Sequence, residues 1–238
     1  MFPEGGFSFS LSEEEIGRFQ ASPIGKTTGE RIAFWAEKFI GTPYDPDPLG
    51  TYVTRAVIVA DDQVDCMYLT FRAVELALSR TPEEAVQMAL EKRFHDQGTL
   101  LDGRVANYDG RFEYGEDMIQ SGKWGWEITG QVGPTIRIKG SRGRPFWTIL
   151  SKAELQRRLG KLKSGDLIFF MKAPEKRTVG EAVGHMGIIK LEPGLSGEEV
   201  FLIHASGAKN KGGSVQKVLF QDYIAQMPFI GVKITRFD

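Results

Sequence analysis

Residues 183–206, VGHMGIIKLEPGLSGEEVFLIHAS, contain two runs that are typical of β-strands, at 185–191 and 200–204. In the first run the two-residue period of a strand places His185 and Gly187 on one face. Further strands are predicted at 166–171, 215–220 and 229–237. A succession of short strands indicates that the second half of the chain forms an antiparallel sheet.

The first half of the chain carries helix signals instead. Ser12 followed by Glu15 forms a capping-box pattern, and residues 28–39 and 65–79 have the apolar spacing of amphipathic helices. Helices followed by antiparallel strands predict the α+β fold class.

Between these halves the amino-acid composition changes. Residues 98–147 are rich in glycine, aromatic and turn-forming residues. We interpret about 81–150 as an insertion into one domain that spans 1–238, with its core at about 28–80 and 151–238.

The composition limits the classes of function. The chain has 238 residues, of which 41% are hydrophobic and 26% charged, as in ordinary globular proteins. Its 30 basic and 31 acidic residues give a net charge of -1, so no overall positive field would hold nucleic acid. No run approaches the roughly 18 apolar residues of a membrane span.

Residues 1–6 lack the features of a signal peptide, which predicts a cytoplasmic protein or a mature secreted form without its leader.

Cys66 is the only cysteine, so an intramolecular disulfide is excluded. A free cysteine is most often a small buried hydrophobe. Here, however, Asp65-Cys66 stands at the start of a predicted helix, where backbone amides and the helix dipole favour a thiolate. The amide of Cys66 is then a candidate oxyanion donor.

Two histidines follow on successive predicted strands. His185 lies among glycines that leave room for a ligand, and His204 ends its strand. Each histidine alone is readily explained as a structural residue. Together with a cysteine at a helix start, they suggest the nucleophile, base and orienting residue of a cysteine hydrolase.

A metal site is the competing interpretation, with Cys66, His185 and His204 as ligands and Asp65 as a fourth. The sequence lacks the paired ligand spacing that structural zinc sites usually show, so we expect no metal and no cofactor.

Five blocks of sequence, in this order, resemble the NlpC-type papain-like cysteine hydrolases of bacterial peptidoglycan. The blocks are FIGTPY at 39–44, VDC at 64–66, SGDLIFF at 164–170, GHMGI at 184–188 and FLIHAS at 201–206. The resemblance implies a papain-like fold in which the cysteine helix packs on an antiparallel sheet or half-barrel. It also implies a catalytic triad: Cys66 attacks, His185 takes its proton and His204 orients the imidazole.

The same resemblance implies substrate contacts near the cysteine. Tyr44 matches a tyrosine that lines the site in this family, and Asp65 matches a substrate-contacting position. Many of these peptidases continue with serine and glycine after the cysteine, but here Met67 and Tyr68 follow it and take those substrate-binding positions.

The insertion contains RFEYGEDM at 111–118 and WGWEI at 124–128, and with these motifs it resembles the N-acetylmuramoyl-L-alanine amidase-like branch of these hydrolases. Trp124 and Trp126 would suit stacking on a sugar, and Arg142 would suit binding a stem-peptide carboxylate, although aromatic residues are more often core and basic loops more often solvated.

We therefore expect a monomeric cysteine amidase that cleaves the N-acetylmuramoyl-L-alanine bond of muropeptides, in the periplasm or cell envelope after leader removal, or else in the cytoplasm. The alternatives are a γ-D-glutamyl-diamino acid endopeptidase, a thioester-dependent acyltransferase on the same fold and a non-catalytic wall-binding module.

Overall fold

The computed structural model describes residues 11–22, 24–195, 197–208 and 212–237. The α-helices in these ranges are α1 Glu13–Gln20, α2 Thr28–Lys38, α3 Thr51–Thr54, α4 Cys66–Leu78, α5 Pro82–Lys92, α6 Gly115–Ser121, α7 Thr129–Val132, α8 Lys152–Arg157 and α9 Phe220–Gln226. The strands are β1 Leu100–Leu101, β2 Arg104–Val105, β3 Trp126–Glu127, β4 Thr135–Lys139, β5 Phe146–Ser151, β6 Leu167–Met171, β7 Val183–Gly194, β8 Gly197–Ala208, β9 Gly212–Leu219 and β10 Gly231–Arg236.

Local capping residues set where the helices begin. The predicted capping box forms at α1, where the Ser12 side chain accepts from the Glu15 amide and the Glu15 carboxylate accepts from the Ser12 amide. Asp65 caps α4 and Thr81 caps α5, which has Pro82 at its first position. Each cap satisfies helix amides that lack an intrahelical acceptor.

Eight of the described strands form a central antiparallel sheet in the order β4-β5-β10-β6-β7-β8-β9, with β3 also paired to β10, while β1 and β2 pair separately with each other. Strand β6 lies inside this sheet, and every one of its residues, LIFFM, is buried. Such a run without polar alternation is expected where both faces of a strand are covered.

Helices cover the two faces of the sheet. On one face, α2 and α4 pack against side chains such as Phe169 and Ile188. On the other face, α9 packs against Phe170 and Leu202. The sheet therefore separates two apolar cores, and β7 and β8 run between them.

These elements confirm the α+β class and the antiparallel sheet. Strands β4 and β5 lie within the predicted insertion at 81–150 yet belong to the central sheet, and β5 pairs with β10. The division into core and insertion stays a prediction. Residues 1–6 lie outside the described ranges. Within those ranges, no helix is long and apolar enough to cross a membrane.

Candidate active site

Cys66 is the first residue of α4. The carboxylate of Asp65 accepts hydrogen bonds from the amides of Met67 at 3.0 Å and Tyr68 at 2.8 Å. The cysteine is half-buried at the edge of the helical core. A sulfur in this position lies at the positive end of the helix dipole, which stabilises a thiolate.

His185 and His204 are in direct contact between β7 and β8. Nε2 of His185 lies 2.8 Å from Nδ1 of His204. Gly187 makes room for this pair, because a Cβ there would lie 2.6 Å from Cδ1 of Leu202 and 3.2 Å from Cβ of His204. The contact occupies Nε2 of His185, so Nδ1 is the atom left to exchange a proton.

Aromatic rings surround the two imidazoles. Phe170 and Phe229 stack on His185 at centroid distances of 5.7 and 6.3 Å. Tyr223 of α9 touches both rings, at 4.9 Å from His204 and 6.3 Å from His185. These rings remove much of the water around the pair, since His204 is 4% exposed and His185 is half-buried.

Burial keeps both histidines uncharged near neutral pH. Desolvation, together with the charge of His204, lowers the pKa of His185 to about 3. Desolvation lowers the pKa of His204 to about 4. A charged imidazole loses hydration in such a site, whereas a neutral one loses little. His185 is therefore in the form that accepts a proton.

Two tyrosines lie near the cysteine, and one of them also contacts the histidines. Burial and then the negative charge of Cys66 raise the pKa of Tyr223, which also contacts both imidazoles. Burial, and then the charges of Cys66 and Asp65, raise the pKa of Tyr44. Both phenols thus lie within electrostatic reach of the sulfur.

The loop that carries Tyr44 is tied to the sheet and to the cysteine segment. The Tyr44 amide donates to the carbonyl of Gly213 at 2.9 Å, and Tyr44 pairs with Val64. Gly207 of β8 accommodates its ring, since a Cβ there would lie 2.6 Å from Cγ of Tyr44. The predicted site residue Tyr44 therefore lies between β8 and the start of α4.

Two predicted substrate residues are corrected. Trp124 is fully buried, with its ring 4.8 Å from that of Phe71, so it has no face available for a sugar. Tyr68 is 1% exposed, and its hydroxyl donates to Asp61 and accepts from the Ala60 amide. Both side chains belong to the core, Tyr68 on the inward side of α4 and Trp124 in the turn before β3. Met67 is half-buried against the same core, and its role stays a prediction.

Trp126 is 72% exposed but lies away from the histidines. It pairs with Arg236 near the end of β10, whereas Val232 of the same strand pairs with Phe170, the neighbour of His185 in β6. Four strand residues span about 13 Å. The structure does not bring Trp126 to the histidine pair.

Arg142 lies in the turn between β4 and β5. Its guanidinium makes an ion pair with Asp117 at 2.8 Å and lies 4.0 Å from the centre of the Tyr114 ring. The charge of Arg142 is thus already paired with a carboxylate of the protein. Its contact with substrate stays a prediction.

No pattern in the sequence indicates three contributors to this region. Tyr223 lies within the short helix α9, in a stretch for which the sequence predicts no helix, and Phe229 follows that helix. Glu116 is completely buried, and its carboxylate accepts from the amides of Ala182 at 2.5 Å and Val183 at 3.2 Å, just before His185. These residues reach the site through contacts between segments that are distant in sequence, so no local sequence pattern predicts them.

No group of three or more histidine, cysteine, aspartate or glutamate side chains suited to a metal ion occurs in the described part of the chain.

Solved structures share this fold. An N-acetylmuramoyl-L-alanine amidase from Bacteroides uniformis has a TM-score of 0.66 at 22% identity, covering 89% of this chain and 99% of that one. A DUF1460 protein from Legionella pneumophila has a TM-score of 0.72 at 15% identity, covering 93% of each chain. A candidate xylanase from Bacteroides fragilis has a TM-score of 0.63 at 21% identity, covering 86% of this chain and 100% of that one. No family model and no curated protein matches the sequence. At these identities the likeness establishes the fold.

Proposed function

We propose that this protein is a papain-like cysteine amidase that cleaves the N-acetylmuramoyl-L-alanine bond of peptidoglycan fragments. The observation that carries the proposal is the contact of 2.8 Å between Nε2 of His185 and Nδ1 of His204, beside a helix that begins at Cys66. The amidase named among the structural neighbours supports the choice of bond.

In the first half of the reaction, Nδ1 of His185 takes the thiol proton while the Cys66 sulfur attacks the lactyl carbonyl carbon. The start of α4, with the amide of Cys66, stabilises the oxyanion. The C–N bond then breaks, and His185 gives its proton to the alanine nitrogen. The products of this half are a thioester on Cys66 and a free stem peptide.

In the second half, His185 takes a proton from water, and the resulting hydroxide attacks the thioester. The carbon–sulfur bond breaks, and the proton returns to the sulfur. The muramoyl carboxylic acid leaves and loses its proton to solvent, and the thiol is regenerated, so no cofactor is consumed.

A glycosidase is a poor match for this cluster. Most glycosidases need two carboxyl groups on either side of the scissile bond. Here Tyr223 contacts two imidazoles and senses the charge of the Cys66 sulfur, and the Asp65 carboxylate is hydrogen-bonded to the amides of Met67 and Tyr68.

Product analysis tests the proposal directly. Wild-type protein incubated with a muramoyl-tetrapeptide should release intact sugar and free tetrapeptide, resolved by mass spectrometry. A sugar-linked dipeptide would instead identify a γ-D-glutamyl-diamino acid endopeptidase. The Cys66→Ala variant should lose turnover while retaining its circular dichroism spectrum and its affinity for the substrate. Undiminished release by this variant would contradict the cysteine mechanism, and binding without turnover by the wild type would indicate a binding module.

The substrate class also suggests where the protein acts. Wall fragments lie mainly outside the cytoplasm, so we place the proposed activity in the periplasm or cell envelope, with cytoplasmic recycling as the alternative. Fractionation of the producing cells followed by immunodetection distinguishes these compartments.

A further inference from the structure

A cavity of about 490 Å³ lies between the end of β9 and α9. Tyr223 forms part of its wall, and the same ring contacts His204 at 4.9 Å and His185 at 6.3 Å. The cavity and the candidate active site therefore share a side chain. Its volume is within the usual range of roughly 300–1,000 Å³ for small-ligand sites.

The described lining is mostly apolar with a few polar groups. It comprises Val218, Leu219, Asp222, Tyr223, Gln226, Met227 and Pro228. Among these residues, Asp222 carries the only charge, and it is negative and exposed to solvent. Such a lining disfavours a ligand with carboxylates, because its one charged side chain is an anion, and the nearby Lys152 ammonium is already bonded to the carbonyls of Ala225 and Met227.

Charge distinguishes the two sides of the bond in the proposed substrate. The stem peptide carries free carboxylates. The carboxyl group of the muramoyl part is consumed in the amide, so the sugar side is neutral. A pyranose ring also combines apolar faces with hydroxyl and acetamido groups, which match an apolar wall bordered by the Gln226 amide and the Tyr223 hydroxyl.

We propose that the cavity between β9 and α9 is the subsite for the N-acetylmuramoyl sugar, with Tyr223 separating the sugar from the histidine pair. This inference rests on the proposed function and names the part of the substrate that each side of the site receives. The stem peptide then leaves toward the side of Cys66 away from α9.

Two exposed glutamines of α9 provide a matched test. Gln226 lines the cavity and Gln221 does not. The variants Gln226→Trp and Gln221→Trp add the same indole to the same helix, and only the first fills the cavity. Both are made in the Cys66→Ala background, so that binding is measured without turnover.

The probes are N-acetylmuramoyl-L-alanyl-D-isoglutamine and the dipeptide L-alanyl-D-isoglutamine, and affinities are measured by titration calorimetry. Gln226→Trp should weaken binding of the muramoyl probe tenfold or more and leave binding of the dipeptide unchanged. Gln221→Trp should change neither. Equal affinities of the two variants for the muramoyl probe, or an equal loss for both probes, would overturn the sugar subsite.

This result is separable from the fate of the proposed function. If the wild-type protein fails to cleave the muramoyl bond while the Gln226 variant selectively loses the muramoyl probe, the subsite stands and the reaction is wrong. If cleavage occurs and the Gln226 variant binds normally, the reaction stands and the subsite is wrong.

Discussion

His185 and His204 share a hydrogen bond of 2.8 Å between Nε2 of the first and Nδ1 of the second. Because both rings are neutral near pH 7, one ring donates and the other accepts. The bond fixes the plane of the His185 ring and directs its Nδ1 away from His204. In the proposed mechanism, the pair therefore behaves as one base with a defined orientation.

Removing the orienting ring should slow the reaction without abolishing it. His204→Ala is expected to lower kcat/KM on the order of 10²-fold, because His185 loses its partner and samples other orientations. His204→Asn should recover part of the loss, since its amide can still reach Nε2. The exposed His95, which packs edge-on against Phe112, provides the control, and His95→Ala should leave kcat/KM unchanged. Equal activity of the His204→Ala and wild-type proteins would contradict this role.

The buried histidines should make the protein less stable in mild acid. The pKa of His185 falls to about 3 and that of His204 to about 4 on folding, from an ordinary value of 6.5. Between these values the unfolded chain binds protons that the folded chain does not, so lowering the pH favours unfolding. The free energy of unfolding should be highest above pH 6.5 and should decrease as the pH falls toward 4. The slope approaches about 1.4 kcal/mol per pH unit for each histidine.

Urea denaturation at pH 7.5, 6.5, 5.5 and 4.5 measures this dependence. The double variant His185→Gln, His204→Gln should show a flatter profile between pH 6.5 and 5. A wild-type profile as flat as that of the double variant would show that the pair is not kept neutral by burial.

Glu116 should control the position of His185 through the backbone. Its carboxylate accepts from the amides of Ala182 and Val183, and Glu116→Gln would turn an NH₂ group toward one of these donors. We expect a loss of about 1–3 kcal/mol in the free energy of unfolding. We also expect a lower kcat with little change in KM. Glu113→Gln, at an exposed side chain on the same segment, should change neither quantity. An unchanged kcat in a destabilised Glu116 variant would show that Glu116 stabilises the fold without positioning His185.

A buried network of charges behind α4 should contribute to stability rather than to catalysis. Arg93 binds Glu75 through two hydrogen bonds of 2.6 and 2.7 Å, and both side chains are inaccessible to solvent. Glu75→Gln leaves the buried guanidinium of Arg93 without its counter-charge, which should cost about 3–5 kcal/mol of unfolding free energy. Glu91→Gln on the exposed side of α5 should stay within about 0.5 kcal/mol of the wild type. Chemical denaturation of the three proteins measures the difference, and similar midpoints for both variants would refute it.

The elements of this fold follow from short-range sequence patterns. The capping box at Ser12 and Glu15, the cap at Asp65 and the apolar run of β6 each involve residues a few positions apart. Backbone hydrogen bonding and side-chain spacing act at this range, so a single segment contains the information. The class α+β and the start of a helix at Cys66 were accordingly predictable.

The sequence did not reveal which aromatic side chains are buried. Trp124 and Trp126 are two residues apart, and the sequence predicts the same sugar-stacking role for both. In the structure, Trp124 packs on Phe71 in the core and Trp126 is 72% exposed. The difference depends on how this segment docks on α4. That docking is a contact between residues more than 50 positions apart.

The amino-acid sequence alone determined the fold class and marked Cys66, His185 and His204 as candidates for chemistry. Only the tertiary structure decided that the two imidazoles bond to each other and that Tyr223 covers them beside a cavity. The physical reason is that strand register and the docking of α9 set these distances. Both arise from packing summed over the whole core rather than from any local run of residues.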